Sequence, residues 1–192
     1  MNRTDILKSL DSLIGPTLCR LLAARPSSAG LPADMRRVLF IRPGGIGDAA
    51  LLRNTTGDAN TAVGRNALIA NTTGGSNVAI GGQALDANTT ASENTAVGYQ
   101  SLLSNTIGTL NSAFGSYALY ANTTGVRNSA FGRTALYNNT FGQYNCAFGY
   151  ASLGANITGG YNNAIGYLAL QKNTSGYYNT VIGALSQIEN LT

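Results

Sequence analysis

The residues best placed for chemistry near the N-terminus form a glycine-rich turn that ends in Asp48. Residues 37–41 form an apolar run typical of a buried strand, and the turn at residues 43–47 precedes the start of a helix. Free backbone N–H groups at the start of a helix can bind an anionic group. The turn is therefore a candidate anion site, although any strand-to-helix turn can be rich in glycine.

Other catalytic chemistry has little support in the composition. The chain has no histidine, which is the commonest general base and a frequent zinc ligand. Its eight Asp and Glu residues are spread over 192 residues and offer neither a paired acid and base nor a calcium repeat. Cys19 and Cys146 give no zinc site and no disulfide framework. We predict no enzyme, no cofactor and no metal.

Asparagine recurs with the greatest regularity, because it occupies fixed places in a 17-residue unit that repeats eight times. Position 1 of the unit is always Asn, position 7 is always Asn and position 11 is always Gly. The first column comprises Asn54, Asn71, Asn88, Asn105, Asn122, Asn139, Asn156 and Asn173. The second column comprises Asn60, Asn77, Asn94, Asn111, Asn128, Asn145, Asn162 and Asn179. A ninth unit begins at Asn190.

Two interpretations of the asparagine columns are open. A primary amide both donates and accepts, so identical amides one layer apart can form a continuous hydrogen-bonded ladder. Alternatively, several position-1 residues match the glycosylation sequon, as in Asn54–Thr–Thr56. Asn105 and Asn139 occupy the same place without matching the sequon, so only the ladder explains every copy.

The elements that would position these columns are the coils of an all-β solenoid. A 17-residue unit cannot bury a core alone, so neighbouring units must stack. Positions 7 to 11 and 13 to 17 predict two short strands per coil, with Gly at positions 4 and 11 supplying the corner dihedrals. Eight coils about 4.8 Å apart would make a rod of roughly 38 Å.

Position 10 is the candidate oligomer interface. If positions 7, 9 and 15 point inward, strand alternation places position 10 on the outside as an apolar stripe. The reverse orientation would bury position 10 and leave a monomer. The position-10 residues are Val63, Ile80, Val97, Phe114, Phe131, Phe148, Ile165 and Ile182.

Tyrosine is a candidate for glycan binding. All ten tyrosines lie from Tyr99 onward, and Tyr144, Tyr161 and Tyr178 share position 6. A column of exposed rings can stack on sugar faces. In the alternative interpretation these are corner residues whose rings pack on one another along the rod.

The repeat resembles known arrays. The pattern Asn-x-Ala-(Val/Ile/Phe)-Gly-x-x-(Ala/Ser) resembles the head repeats of trimeric autotransporter adhesins, which form left-handed β-rolls. The longer unit Asn-Thr-Thr-Gly-x-x-Asn-Thr-Ala-x-Gly-x-x-Ala-Leu is similar to arrays in phage tail-fibre proteins. For residues 54–192 the resemblance implies a homo-oligomer, with a trimer favoured, that is extracellular or carried on a virion.

Residues 1–53 differ from the array. They divide into a helical leader and linker at residues 1–34 and a strand–turn–helix fragment at residues 35–53. The run Arg36-Arg-Val-Leu-Phe-Ile-Arg-Pro-Gly-Gly-Ile-Gly-Asp-Ala-Ala-Leu-Leu52 resembles the N-terminus of bacterial heptosyltransferases of glycosyltransferase family 9. The resemblance implies that Asp48 would be the general base. A borrowed segment that covers the first coil is the alternative.

Charge and export signals limit the partners. Eight of the twelve basic residues precede Asn54, so the array is neutral, which argues against nucleic-acid binding by the repeats. We find no convincing signal peptide and no transmembrane span.

We therefore expect a structural or adhesive rod. The alternatives are a truncated heptosyltransferase without a complete site and an ice-binding solenoid. Thr55 and Thr56 argue against ice binding, because they would lie on opposite faces if extended.

Overall fold

The computed structural model describes residues 54–186 and the strand Val38–Leu39. The predicted leader, the remainder of the strand–turn–helix fragment with Asp48, and the end of the chain from Gln187 lie outside the described residues. The described array is a parallel β-solenoid, as the repeat predicts, and it contains no helix.

Nine short strands form one parallel sheet in sequence order. The strands are β1 (Val38–Leu39), β2 (Thr61–Val63), β3 (Val78–Ile80), β4 (Thr95–Val97), β5 (Ser112–Phe114), β6 (Ser129–Phe131), β7 (Cys146–Phe148), β8 (Asn163–Ile165) and β9 (Thr180–Ile182). From β2 onward each residue pairs with the residue 17 places later, as in Ala113 with Ala130. We number the coils 1 to 8 from the one that begins at Asn54.

Coils 1 to 7 each bury the same six positions, namely 1, 4, 7, 9, 14 and 15. Alanine at position 9 is the central residue of each strand from β2 to β8 and is almost completely buried. Alanine or serine at position 14 and leucine at position 15 fill the opposite side of the core. A core of such small side chains is thin, so polar contacts between coils must supply much of the cohesion.

The position-1 asparagines form the predicted ladder. From Asn71 onward each Nδ2 donates to Oδ1 of the asparagine one coil earlier, as from Asn122 to Asn105 at 2.8 Å. The same Nδ2 donates to the position-4 carbonyl of its own coil, as from Asn122 to Gly125 at 3.0 Å. These amides are buried and hydrogen-bonded in the fold, which favours the ladder over glycosylation at position 1.

The position-7 asparagines form a second ladder that also uses backbone groups. Asn111 donates from Nδ2 to Asn94 Oδ1 at 3.2 Å and to the carbonyl of Gly125 in the next coil at 2.9 Å. Its own Oδ1 accepts from the backbone N–H of Asn128 at 3.0 Å. Within the described range every buried side-chain nitrogen and oxygen has a hydrogen-bond partner. The two ladders converge on the position-4 carbonyls and tie successive coils together.

The two recurrent glycines serve different purposes. Position 11 has φ between 126° and 139°, which L side chains rarely adopt, as the sequence predicts for a corner. Position 4 has no such φ; a Cβ there would collide with the position-4 carbonyl of the next coil, as at Gly74. Ala91 is the exception, and its carbonyl still accepts from Asn77 and Asn88.

The predicted second strand is wrong. Positions 12 to 17 form turns, and the non-glycine residues at positions 13 and 15 have left-handed backbones, with φ of 50–62° and 51–54°. In a strand, Ala118 and Leu119 would point to opposite faces. Both are fully buried, because the left-handed residue at position 15 rotates the chain. Backbone bonds still link this side from coil to coil, as from Leu119 N–H to the Ala135 carbonyl at 3.0 Å.

The first strand lies at the N-terminal edge of the sheet. Val38 and Leu39 pair in parallel with Thr61 and Ala62 of coil 1. The pairing extends the sheet beyond the array by one short strand. It supplies backbone partners to an edge that would otherwise be open to other chains.

Candidate interaction surface

The strand face carries the position-10 stripe on its outer surface. Position 9 is buried in every strand from β2 to β9, whereas position 10 is exposed or half-exposed in all eight. Val63, Ile80 and Ile165 are 41 %, 40 % and 44 % exposed. The predicted orientation is therefore confirmed, since the core is filled by positions 1, 9, 14 and 15. The use of the stripe as an interface stays a prediction.

Phenylalanines stack in the middle of the stripe. The rings of Phe114 and Phe131 lie 4.8 Å apart at an interplanar angle of 6°, and those of Phe131 and Phe148 lie 4.5 Å apart at 4°. The spacing of parallel strands places each ring directly over the next. Stacking limits the rotamers of these rings, so little side-chain entropy remains to be lost if a partner covers them.

Position 8 borders the stripe with small side chains. Ser112, Ser129 and Cys146 are half-buried there on successive strands. Burial raises the pKa of the Cys146 thiol above its ordinary value. The thiol therefore stays protonated at neutral pH and behaves as a small filler, as the sequence suggests.

The position-6 tyrosines pack on one another. Tyr144 and Tyr161 stack at 4.7 Å, and Tyr161 and Tyr178 stack at 5.0 Å. Arg127 lies 5.3 Å from the centre of the Tyr144 ring and donates to its hydroxyl at 2.9 Å. Neighbouring groups thus cover both ring faces of Tyr144 and Tyr161, whereas Tyr178 is stacked on one side and is 76 % exposed. Glycan binding at these rings stays a prediction, and the geometry favours the alternative in which they pack along the rod.

A second arginine–tyrosine column follows the strand at position 12. Arg133 lies 5.8 Å from the centre of the Tyr150 ring, and Tyr150 stacks on Tyr167 at 5.4 Å. Sequence reasoning missed this column, although Tyr150 and Tyr167 are 17 residues apart. Arg127 and Arg133 both belong to coil 5, so the two columns flank the stripe at the same level of the rod.

The threonines at positions 2 and 3 do not lie on opposite faces. Thr55 and Thr56 are both exposed, because these residues form a bend and not an extended strand. The position-2 hydroxyl donates to the backbone of the next coil, as from Thr72 to the Thr89 carbonyl at 3.0 Å. The pair therefore lies in a bend outside the strand face and is not a flat threonine surface.

Neither a metal-binding cluster nor a membrane-spanning helix is present in the described residues. They contain no group of three or more His, Cys, Asp or Glu that could hold a metal ion. In the same part of the chain no helix has the length and apolar character needed to cross a membrane. Asp48, the one candidate catalytic residue, lies outside this part of the chain.

The fold and the two ladders define a β-solenoid repeat protein built as a rod. Comparison of the chain with family models, with curated proteins and with solved structures gives no match.

Proposed function

We propose that this chain is a structural rod that associates with itself through its strand face, in the manner of a surface adhesin or a tail fibre. The exposed position-10 stripe is the observation that supports the proposal. Solenoid coils need an inward set of apolar residues, which positions 9, 14 and 15 already provide. A second apolar column that faces out along all eight coils has no use in an isolated rod.

The stripe is large enough to drive association. Burying a Val, Ile or Phe side chain completely is worth about 1.5–3 kcal/mol. Five of the eight residues are 37–44 % exposed, Ile182 is 73 % exposed, and Val97 and Phe131 are half-buried, so the stripe retains about 5–10 kcal/mol per copy. Association costs roughly 4–15 kcal/mol in lost freedom. The stripes of two or more copies together can offset that cost, whereas a few scattered apolar residues cannot.

The experiment is a mass measurement of the full chain in solution over a range of concentrations. We expect an oligomer that dissociates on dilution. The triple variant Ile80→Ser, Phe131→Ser and Phe148→Ser should be monomeric and keep the β-sheet circular dichroism spectrum. The matched control is Ile107→Ser, Phe141→Ser and Ile157→Ser, which removes three apolar side chains from positions 2 and 3 that are 44–60 % exposed, more than those of the test variant.

The control variant should keep the mass of the unmodified protein. A monomeric wild-type chain at every concentration would contradict the proposal. Equal loss of association in both triple variants would show that exposed apolar residues in general, and not the stripe, hold the copies together. A trimer is the stoichiometry that the resemblance to autotransporter adhesins implies.

A further inference from the structure

We propose that two copies of this chain pack antiparallel, strand face to strand face, about a twofold axis that passes through coil 4 at Phe114. This inference rests on the proposed self-association and specifies its partner and geometry. It follows from three columns of side chains on the strand face and its two borders, at positions 6, 10 and 12. A twofold axis along the strand direction brings each position against the same position of the partner. Coil 4 then meets coil 4, coil 3 meets coil 5, coil 2 meets coil 6 and coil 1 meets coil 7.

The position-6 column is complementary to itself in this arrangement. Its side chains in coils 1 to 3 are small or acidic, whereas those in coils 5 to 7 are basic or aromatic. The axis therefore places Glu93 of coil 3 against Arg127 of coil 5, and both side chains are exposed. Leu110 of coil 4 meets its own copy and is 38 % exposed. The facing pairs are Ala59 with Tyr161, Ser76 with Tyr144, Glu93 with Arg127, and Leu110 with Leu110.

The position-12 column shows the same complementarity. Gly82 has no side chain, and the nearest atom to a Cβ there belongs to the Tyr99 ring at 3.4 Å, so the coil is low at the point where the axis places Tyr150 of the partner. Tyr99 faces Arg133, and Arg65 faces Tyr167, so each arginine meets an aromatic ring, a contact that is favourable in itself. Two independent columns thus place small residues against large ones about the same coil.

The position-10 stripe is compatible with the same axis. Its larger side chains lie in coils 4 to 6 and its valines in coils 1 and 3. The axis pairs Val97 with Phe131 and Ile80 with Phe148, while Phe114 meets its own copy. The largest side chains of the stripe therefore lie near the centre of the interface, where binding energy concentrates.

Charge supports the same orientation. The described acidic residues Asp58, Asp86 and Glu93 all lie in coils 1 to 3. Of the four described basic residues, Arg127, Arg133 and Lys172 lie in coils 5 to 7 and Arg65 lies in coil 1. Antiparallel packing places coils 1 to 3 of one copy, which carry three acidic residues and one basic, against coils 5 to 7 of the other, which carry three basic residues. Asp86 and Lys172 lie at positions 16 and 17, outside the strand face, so they contribute only at longer range. Parallel packing about an axis along the rod would instead place Arg127 against Arg133 of the partner.

The register is specific. A shift by one coil in either direction faces Glu93 with Leu110 or Tyr144 and loses its pairing with Arg127. Loss of a complementary charge pair on either side selects one register over its neighbours. Only the axis through coil 4 places Glu93 against Arg127, Gly82 against Tyr150 and Arg65 against Tyr167 in a single arrangement.

The exposed area is sufficient for a dimer. Tyr144, Tyr150, Tyr161 and Tyr167 are 38–51 % exposed, and Phe114 and Phe148 are 37 % and 39 % exposed. Taking about 200 Å² for a whole aromatic side chain, these six rings expose about 500 Å² per copy. Covering them in both copies buries about 1,000 Å², which is the lower bound for a specific interface.

Charge reversal tests the pairing of Glu93 with Arg127. The dissociation constant of the full chain would be measured by sedimentation equilibrium. Glu93→Arg alone and Arg127→Glu alone should each weaken the dimer by about 10- to 100-fold, because each places two like-charged pairs in the interface. The double variant should return to within about threefold of the wild type. Asp86→Arg, an acidic residue on position 16 away from the strand face, should change the constant by less than about threefold.

Spin labels test the orientation. Thr56 and Thr158 are exposed position-3 residues of coils 1 and 7, and each would be replaced by cysteine in a background without Cys19 and Cys146. In the antiparallel dimer, mixing chains labelled at Thr56 with chains labelled at Thr158 should give a short distance between the label on one copy and the label on the other. Labels at the same site should be at least about 29 Å apart, since six coils at about 4.8 Å separate them.

Each outcome has a distinct meaning. A monomer at all concentrations overturns both this inference and the proposed function. A trimer, or a dimer in which labels at the same site are close, overturns the antiparallel arrangement and leaves self-association intact. Failure of the double charge reversal to restore the dimer overturns the register.

Discussion

Replacing Asn111 with alanine tests whether the amide ladders hold the coils together. Asn111 is fully buried in coil 4 and makes four side-chain hydrogen bonds. Its Nδ2 donates to Asn94 Oδ1 and to the Gly125 carbonyl, and its Oδ1 accepts from both the backbone N–H and Nδ2 of Asn128. The substitution removes all four bonds from the middle of the rod.

The size of the stability loss depends on which of the four bonded groups keep another hydrogen-bond partner in the variant. The Gly125 carbonyl still accepts from Asn122, and Asn128 Nδ2 still donates to the Gly142 carbonyl. The backbone N–H of Asn128, in contrast, loses the acceptor that Asn111 supplies. A buried donor without a partner costs about 1–3 kcal/mol, and each remaining lost bond about 1 kcal/mol. We expect a total loss of about 4–6 kcal/mol from these terms, to which the small cavity adds.

The assay is chemical denaturation followed by circular dichroism, at one protein concentration because association also raises stability. The matched control is Asn138→Ala, which removes an exposed asparagine at position 17 and should cost less than about 0.5 kcal/mol. Hydrogen exchange should show faster opening in coils 3 to 5, since each coil contacts only its neighbours. A loss below about 1 kcal/mol for Asn111→Ala, or one equal to that of the control, would refute the ladder argument.

The isosteric variant Asn111→Asp separates hydrogen bonding from packing. Ionised aspartate keeps the acceptor Oδ1 but replaces the donor Nδ2 with a second oxygen, so it has no donor for Asn94 Oδ1 or the Gly125 carbonyl, and it buries a charge. Desolvation and these acceptors would raise the pKa of the new carboxyl in the folded state. The variant should therefore be less stable at neutral pH than at acid pH relative to the wild type. A difference that does not change with pH would contradict this reasoning.

Three further predictions concern single positions. Gly115→Ala should destabilise the rod by at least about 3 kcal/mol in denaturation experiments, because φ is 135° and the new Cβ would lie 2.6 Å from backbone atoms of the next coil. Gly82→Ala, where the nearest atom lies 3.4 Å away, should change stability by less than about 1 kcal/mol, and an equal loss would contradict the steric argument. Thr134→Asn should raise the unfolding free energy by about 0.5–1 kcal/mol, since φ is 58° there and Asn66 occupies the same position in coil 1; no gain would mean that the left-handed backbone carries no strain. Burial raises the pKa of Cys146 in the folded state, so the stability that its protonated thiol contributes should be lost as pH rises through the alkaline range. Cys146→Ser should remove that part of the pH dependence, and identical profiles for the two proteins would show that the thiol contributes none.

The repeat phase predicted the inward and outward positions where the chain is extended. Position 9 is buried and position 10 exposed or half-exposed in every strand from β2 to β9, and both asparagine columns meet themselves one coil on. Period-two alternation and the two-sided hydrogen bonding of a primary amide are sufficient for these conclusions. The same rules failed at positions 13 to 17, where Leu119 has a left-handed backbone that no leucine propensity indicates.

The interaction surface was less predictable than the core. Tyr144, Tyr161 and Tyr178 share a position in the repeat, but their stacked faces and the arginine beside them depend on rotamers and on the spacing of the coils. Tyr150 and Tyr167 share position 12 in the same way and escaped notice, because that position also holds Arg, Gly, Ser and Ala.

The sequence alone determined the 17-residue period, the in-register stacking and the identity of the polar ladders, because translation by one unit places identical side chains together. The tertiary structure decided where the chain bends and what each glycine is for. At position 4 the requirement is space beside the carbonyl of a neighbouring coil, and at positions 13 and 15 packing overrides the local preference for right-handed backbone. Both depend on contacts between residues 17 or more apart, which local propensity does not encode.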